Sequence, residues 1–314
     1  MYLKKRWINR QTYEYFAVNL GPLLRWRDPI LIYQMGGVGS SSIRNSLFRC
    51  RDPLTRLVLM SHEFFGVKDR DTAGIDIEPE YKDHIIREIE HYDRVFSALT
   101  PLRKAGWLIR KKLYTERIYK AYVKPGRPLK VITLVREPIA NNVSLFFQVV
   151  DRYTGVGMRL ADYDVEELAR IFVDCYMHSR PLTWFDAELK RTLGIDVYAY
   201  AFPTDRGYTT ISSGNIELLI LRCELDDLSK ARAIAEFVGI DELEIVRSNR
   251  AADKPYGRRY TEFKERAILP KALIDEIYTS KYARHFYTGQ EREQFRALWR
   301  RNNPGARQHV DWRE

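Results

Sequence analysis

A short segment rich in glycine and serine, PILIYQMGGVGSSSIRNSL (residues 29–47), has the composition of a phosphate-binding loop. It contains an apolar run, three glycines around a valine, and three serines: Ile30–Tyr33, Gly36, Gly37, Val38, Gly39, Ser40, Ser41 and Ser42. Glycines let successive main-chain N–H groups converge on an anion, a following helix directs its positive end there, and serine hydroxyls add donors. The segment therefore predicts a phosphate or sulfate site; a plain strand-to-helix turn with capping serines is the alternative.

A second candidate anion site lies in LVREPIANNVSLFF, after the apolar run LKVITLV. Arg136 follows this predicted strand, where ligands collect in open parallel sheets. Ser144 comes eight residues later on a predicted helix, and the rise from Pro138 to Ser144 is ~9 Å. The arginine side chain can span that gap, so Arg136 and Ser144 are predicted to hold one phosphate.

Together these two elements resemble the sulfotransferase family, which uses 3′-phosphoadenosine 5′-phosphosulfate as its sulfuryl donor. The resemblance implies that the loop binds the 5′-phosphosulfate through Gly39, Ser40 and Ser41, and that Arg136 and Ser144 bind the 3′-phosphate. It covers roughly residues 30–290, and the wording QMGGVGSSSI, WFDAELK and SKYARHFY looks closest to a bacterial capsular polysaccharide synthesis branch. The product would be adenosine 3′,5′-bisphosphate, and no metal is expected.

The loop departs from the family pattern at one position. Sulfotransferases usually carry Lys or Arg two residues before the loop's Gly-Ser/Thr pair, and here that position is Gly37. Because negative charge develops on the leaving phosphate oxygen, a nearby cation matters for the rate. The basic segment NRAADKPYGRRYTEFK reads as a loop that closes on the nucleotide, so Lys254 or Arg258 is predicted to complete the donor site, with Arg259 also in contact. An exposed loop without this role is the alternative.

The resemblance also implies an acceptor base just after the second strand, because sulfation of a hydroxyl requires removal of its proton. LVLMSHEFF places His62 and Glu63 there. Histidine suits this task near neutral pH, so His62 is the predicted base and Glu63 the reserve. A histidine satisfied by main-chain hydrogen bonds is the alternative.

The elements that position these residues alternate between strands and helices, which predicts an α/β fold. The resemblance implies a three-layer sandwich of the P-loop-containing nucleotide-hydrolase-like, sulfotransferase type, with a mainly parallel central sheet. IDVYAYAF, YTTISS and IELLILRC read as later strands, the last two joined at Gly214 and Asn215. We predict a basic extension over residues 1–28 and one domain over residues 29–314.

Charge and composition limit the partners and the compartment. The 314-residue chain has a net charge of +10, with ten Lys or Arg between Arg103 and Lys130 against the single acid Glu116. This basic stretch predicts an amphipathic helix whose charged side is exposed to solvent, binds an acidic polymer, or contacts an anionic membrane surface. Nucleic acid is disfavoured because no recognition motif is present. Three scattered cysteines and the lack of a membrane span or signal peptide predict a cytoplasmic protein. If the basic stretch contacts an anionic membrane surface, the protein is predicted to be peripheral to the inner face of that membrane.

Three functions are compared. The first is a sulfotransferase acting on a carbohydrate or polysaccharide hydroxyl. The second is a non-catalytic nucleotide-binding relative, for which Gly37 is the main argument. The third is a P-loop kinase or NTPase, which is disfavoured because the loop lacks the Gly-Lys-[Ser/Thr] ending.

Overall fold

The computed structural model describes residues 29–50, 58–64, 77–98, 100–101, 104–105, 114–150, 160–248 and 250–300. The predicted extension over residues 1–28 lies outside the described residues. Much of the basic stretch also lies outside them, and only its residues 104–105 and 114–130 are described. This described part is helical from Glu116 to Val123.

Five strands of the described chain form one sheet in the order β2-β1-β3-β5-β4. The strands are β1 (Ile30–Tyr33), β2 (Val58–Ser61), β3 (Leu129–Val135), β4 (Tyr208–Ser213) and β5 (Ile216–Arg222). The first four in sheet order are parallel, and β4 pairs antiparallel with β5 across the predicted turn. Since β1 has β2 on one side and β3 on the other, the chain changes direction between β1 and β3, and such a switch point opens a ligand crevice at the carboxyl ends.

The sheet is buried on both faces. All four residues of β1 and six of the seven residues of β3 are buried, although successive side chains point to opposite faces. This requires helices on both faces, as expected for a parallel sheet. The predicted α/β class and mainly parallel sheet are therefore confirmed.

The helices occupy the connections and the C-terminal part. They are α1 (Ser40–Arg49), α2 (Pro79–Ala98), α3 (Glu116–Ile118, continued by a π-helix over Tyr119–Val123), α4 (Pro138–Val149), α5 (Val165–Cys175), α6 (Arg180–Trp184, continued by a π-helix over Phe185–Lys190), α7 (Arg191–Leu193), α8 (Asp227–Val238), α9 (Gly257–Arg266), α10 (Lys271–Thr279), α11 (Lys281–Phe286) and α12 (Gly289–Arg300). Single 3₁₀ turns lie at Leu160–Asp162, Val197–Ala199 and Ala251–Asp253.

The strand predicted at IDVYAYAF is wrong. Its centre, Val197–Ala199, is a 3₁₀ turn closed by the carboxylate of Asp196, which accepts a hydrogen bond from the Tyr198 N–H at 3.0 Å. The segment buries Ile195 and Val197 without pairing to the sheet. Its apolar alternation therefore reflects packing and not strand pairing.

The loop predicted at NRAADKPYGRRYTEFK is also wrong over much of its length. Gly257 begins α9, and the helix runs through the basic pair Arg258 and Arg259. Only Tyr260 and Phe263 are large buried side chains of this helix, three residues apart on one side. A stripe this narrow, in a polar segment, gives little periodic signal.

Candidate functional site

The glycine loop between β1 and α1 has the main-chain geometry of an anion cradle. Gly37 and Gly39 both have φ of 78°, a left-handed conformation that favours glycine. Gly39 is the N-cap of α1 and makes no side-chain cap, so the first N–H groups of the helix have no capping side chain. Their partial positive charge faces the carboxyl end of the sheet, next to the switch point.

The loop packs tightly against α4. A Cβ at Gly36 would lie 2.8 Å from a methyl carbon of Leu145, and a Cβ at Gly37 would lie 2.9 Å from Leu145 Cγ and 3.2 Å from the main-chain oxygen of Asn141. The Asn141 side-chain NH₂ donates to the Gly36 oxygen at 3.1 Å. On the other side, the Cys223 thiol lies 3.3 Å from the Val38 oxygen and donates to it. This packing leaves no room for a lysine side chain at position 37.

The three serines of the loop have different surroundings. Ser42 Oγ accepts from the Ser248 N–H at 3.1 Å and donates weakly to the Ser248 oxygen at 3.4 Å, so it ties α1 to the segment after α8. Ser40 is buried and Ser41 half-buried, and their hydroxyls bond to no part of the chain that the structure describes. The two serines of the Gly-Ser-Ser core are thus the ones whose hydroxyls remain for a ligand.

Arg136 extends from the end of β3 to this loop. Its side chain is buried, with the residue 8% exposed, and Nη1 donates to the Gly37 oxygen at 2.8 Å. The Tyr260 hydroxyl of α9 is a second hydrogen-bond partner. Over the described residues Arg136 forms no ion pair with a carboxylate. Burial opposes its charge, but Tyr260, Cys223 and Glu224 outweigh burial and raise its pKa, so the guanidinium stays charged.

Tyrosines from the C-terminal helices fix the turn that carries Arg136. The Tyr282 hydroxyl accepts from the Arg136 N–H at 3.0 Å and donates to the Arg136 oxygen at 2.8 Å. The neighbouring Glu137 is fully buried and caps α4 by accepting from the N–H groups of Ile139 and Ala140. Tyr278 donates to the same carboxylate at 2.6 Å. Burial raises the pKa of Glu137 to about 7.

Ser144 lies one turn before Phe147 on α4, and Phe147 packs edge-on against Tyr260 with ring centroids 5.6 Å apart. Residues three apart share one side of a helix, so Ser144 is on the side of α4 that faces α9. The residue is 5% exposed, and its hydroxyl has no hydrogen-bond partner within the described ranges. Ser144 therefore lies on the same side of α4 as Phe147, which contacts Tyr260.

His62 stands after β2, across β1 from Arg136. Its Nδ1 lies 3.2 Å from the main-chain oxygen of Gln34, and since a carbonyl only accepts, Nδ1 carries the hydrogen and Nε2 is the basic nitrogen of the neutral ring. The Trp184 indole N–H donates to the His62 oxygen at 2.9 Å. Glu63 forms an ion pair with Arg180. This pairing occupies the Glu63 carboxylate, which leaves His62 the better base.

The π-helix over Phe185–Lys190 contacts the carboxyl ends of β1 and β2. Its Glu188 is fully buried and accepts from the Tyr33 hydroxyl at 2.9 Å and from the Phe64 N–H at 3.1 Å. Trp184, just before this π-helix, holds His62. One wide helical turn thus anchors the ends of both β1 and β2.

The three predicted cations lie in α9 or just before it. Arg258 is exposed and pairs with Glu262 at 2.8 Å, and Arg259 pairs with the same carboxylate at 2.7 Å. Lys254 is half-buried just before α9 and forms no ion pair with a described carboxylate. Lys254 is thus the one of the three predicted cations without a recorded carboxylate partner.

Two residues near the site gave no chemical signal in the sequence. Tyr260 contacts Arg136 from a segment that we predicted as a loop. Gln34 is fully buried after β1, and both side-chain amide atoms are without a hydrogen-bond partner. The sequence offered a positional signal only, because Gln34 stands two residues before Gly36. Polar atoms buried in this way are rare and are usually satisfied by water or a ligand.

A surface groove of about 330 Å³ lies elsewhere, between α5 and the segment that joins α9 to α10. It is lined by apolar Val165, Ala169 and Ile268 and by charged Arg170 and Arg266, and it contains none of the predicted site residues. We place the candidate site at the carboxyl ends of the parallel strands, where Arg136 contacts the glycine loop.

Comparison with protein families matches residues 163–288 to the family described as "Putative capsular polysaccharide synthesis protein" (NKWYS). The match covers less than half of the chain; it includes the tyrosines that hold Arg136 but neither the glycine loop nor Arg136 itself. Searches of curated proteins and of solved structures found no match. No described helix has the length and apolar character needed to cross a membrane.

Proposed function

We propose that this protein is a sulfotransferase that transfers a sulfuryl group from 3′-phosphoadenosine 5′-phosphosulfate to a hydroxyl of a carbohydrate or polysaccharide. The hydrogen bond from Arg136 to the Gly37 oxygen is the observation that carries this proposal. It brings the two anion-binding elements together across the switch point of the sheet, where ligands of open α/β sheets bind. The fold would then be the sulfotransferase type of the P-loop-like sandwich.

The residues at the site fit a doubly charged nucleotide. The loop offers main-chain N–H groups and the hydroxyls of Ser40 and Ser41 to the 5′-phosphosulfate. Arg136 and Ser144 offer a charged fork and a directional donor to the 3′-phosphate. Arg136 is buried and charged, and it forms no ion pair with a described residue, so its remaining N–H groups can bind an anion.

The transfer itself would use His62 as the base. The acceptor oxygen forms a bond to sulfur while the bond between sulfur and the bridging oxygen breaks, and that electron pair stays on the 5′-phosphate. The acceptor proton passes to Nε2 of His62, whose tautomer the Gln34 carbonyl sets. The products are a sulfate ester and adenosine 3′,5′-bisphosphate, and no metal is needed to balance the step.

The acceptor class rests on the match of residues 163–288 to a capsular polysaccharide synthesis description. A chain of this charge also favours an anionic polymer or an anionic membrane surface near the growing glycan. We therefore propose a carbohydrate acceptor and action on the cytoplasmic side of the membrane.

The first experiment is a thermal-shift and calorimetric titration with adenosine 3′,5′-bisphosphate and with ATP, each with and without Mg²⁺. We expect the bisphosphate to bind without metal and to raise stability by ~2.7 kcal/mol at 100 times its Kd. Binding of ATP with Mg²⁺ in place of the bisphosphate would favour the kinase or NTPase alternative. Binding of neither nucleotide would refute the proposal.

The second experiment separates an active transferase from a non-catalytic relative, which the absence of a cation at Gly37 favours. Transfer of ³⁵S from the labelled donor to a capsular glycan is measured for the wild type, His62→Ala and Glu63→Gln. We expect His62→Ala to lose turnover while keeping nucleotide affinity, and Glu63→Gln to keep turnover. If only Glu63→Gln abolishes transfer, Glu63 is the base; if the wild type binds nucleotide but no acceptor is sulfated, the non-catalytic reading is favoured.

A further inference from the structure

We propose that Arg136 supplies the positive charge that the glycine loop lacks. Its guanidinium would contact the 5′-phosphate of the donor as well as the 3′-phosphate, and would stabilise the charge that develops on the bridging oxygen. This inference rests on the proposed function and deepens it. It assigns to Arg136, at the end of β3, the cationic role that a loop lysine or arginine usually has in sulfotransferases.

Position 37 cannot carry this charge. Gly37 has φ of 78°, and a Cβ there would approach Leu145 Cγ to 2.9 Å and the Asn141 oxygen to 3.2 Å. The first neighbour is the branch point of a side chain and the second is main chain of α4, so neither can move aside cheaply. A lysine would require the loop to leave α4.

The guanidinium of Arg136 already contacts Gly37. Nη1 is 2.8 Å from the Gly37 oxygen, so its charge is within one hydrogen bond of the residue that would otherwise be the lysine. A guanidinium has five N–H donors, and the Gly37 oxygen and Tyr260 hydroxyl account for two. The remaining donors have no carboxylate partner in the part of the chain that the structure describes.

The arginine is held so that it can act on a transition state. Tyr282 bonds to both main-chain polar atoms of Arg136, which fixes the base of the side chain. When the bond between sulfur and the bridging oxygen breaks, its electron pair remains on the 5′-phosphate, and a preorganised cation there is worth more than a mobile one. The other candidate cations are less well placed: Arg258 and Arg259 share the carboxylate of Glu262, and only Lys254 remains as a competitor.

The test measures which phosphate Arg136 recognises. Calorimetric Kd values are determined for adenosine 5′-monophosphate, adenosine 3′-monophosphate and the 3′,5′-bisphosphate with the wild type, Arg136→Ala and Arg136→Lys. We expect Arg136→Ala to weaken binding of the 5′-monophosphate by about thirty-fold or more, equivalent to ~2 kcal/mol, and Arg136→Lys to restore part of it. Lys254→Ala tests the competing cation and should weaken binding of the 5′-monophosphate less than Arg136→Ala does.

The control is Arg222→Ala, a buried arginine at the end of the adjacent strand whose guanidinium already has a carboxylate partner; its Kd values should match those of the wild type. Melting curves verify that each variant is folded, and Arg136→Lys carries the test if Arg136→Ala is not. If Arg136→Ala weakens only the 3′-monophosphate, or if Lys254→Ala produces the larger loss for the 5′-monophosphate, this inference is overturned and the sulfotransferase proposal stands. If the wild type binds none of the three, both proposals fail.

Discussion

Two buried arginines end adjacent parallel strands, and they have opposite surroundings. Arg136 follows β3 directly after Val135, whose partner in β5 is Arg222. Arg222 forms an ion pair with Glu291, donates to the Thr204 oxygen at 3.1 Å and lies 4.5 Å over the ring of Tyr287. Arg136 has a main-chain oxygen and a tyrosine hydroxyl as partners but no recorded ion pair.

On the proposed function, this difference separates a charge that stabilises the fold from one that binds a ligand. A buried cation with a carboxylate partner recovers its desolvation cost within the protein. The charge of Arg136 is stabilised by hydrogen bonds and by the more distant carboxylate of Glu224, and perturbed groups of this kind concentrate at functional sites. The same residue type at the same sheet edge therefore has two uses, and the neighbouring carboxylates distinguish them.

The largest expected effect is on stability. Arg222→Met should lower the free energy of unfolding by about 3–5 kcal/mol, because Glu291 would remain partly buried without its cation. Arg136→Met should lower it by less, about 2 kcal/mol, because it removes two hydrogen bonds but leaves no described carboxylate without an ion-pair partner. Urea denaturation of both variants without nucleotide measures the difference. Equal losses would show that Arg136 has a counter-ion in the free protein.

The carboxylates beside the two arginines should respond to pH with opposite sign. Burial raises the pKa of Glu137 to about 7, so between ~4.3 and 7 the folded state holds the extra proton and stability falls as pH rises. Glu137→Gln should remove this fall, by up to ~3 kcal/mol.

Burial also acts to raise the pKa of Glu291, but hydrogen bonds from Arg222 and Thr288 outweigh it and lower the pKa. Its stabilisation is present above the unfolded pKa and is lost as pH falls, so Glu291→Gln should matter at pH 7 and little in acid. Unfolding free energies from pH 4 to 8 are compared as differences from the wild type, because Asp186, with a pKa raised by burial to about 6, titrates in the same range in all variants. If both variants differ from the wild type in the same way from pH 4 to 8, the expected difference between Glu137 and Glu291 is wrong.

A smaller effect concerns the loop that Arg136 reaches. Gly37→Ala should cost ~2 kcal/mol, from the left-handed φ and the contacts with α4, and should weaken nucleotide binding by displacing the oxygen that Arg136 binds. Gly214→Ala is the matched control, since it has φ of 58° in the turn between β4 and β5 with no atom within 4 Å of the added Cβ. It should cost ~1 kcal/mol and leave binding unchanged. Equal costs would mean that the loop is not pressed against α4.

The smallest effect separates two tyrosine hydroxyls of the C-terminal helices. Tyr282→Phe removes both hydrogen bonds to the Arg136 main chain and should cost ~1 kcal/mol and a few-fold in nucleotide affinity. Tyr287→Phe removes the 3.3 Å bonds to Glu224, beside Arg222, and should leave the affinity unchanged. Calorimetry on both variants measures this, and loss of affinity in Tyr287→Phe alone would reverse the assignment of the two regions.

The parts of the fold that could be predicted are those with local signals. Gly37 and Gly39 mark a turn that only glycine adopts easily, Pro138 begins α4, and the apolar run before Arg136 is a strand buried on both faces. These signals located both arms of the candidate site. They also predicted the pairing of β4 with β5 through Gly214 and Asn215.

The remaining parts depend on contacts that are distant in the sequence. Tyr282 lies 146 residues from Arg136, and no pattern near either residue indicates their hydrogen bonds. The assignment of IDVYAYAF failed because Asp196 closes a turn where apolar alternation suggested a strand. The counter-ion that distinguishes Arg222 from Arg136 likewise comes from α12, through Glu291.

The π-helix over Phe185–Lys190 makes the spacing of this part of the chain as important as its residue types. Its wide turn inserts one residue between Trp184, which holds His62, and Glu188, which holds Tyr33 and Phe64. Deleting one residue between Trp184 and Glu188 would change the rise and the angle between these two anchors, so Glu188 would lose its bonds to Tyr33 and Phe64. Natural variants and designed libraries should therefore keep the length of this segment, even where one of its buried residues is replaced by another of similar size.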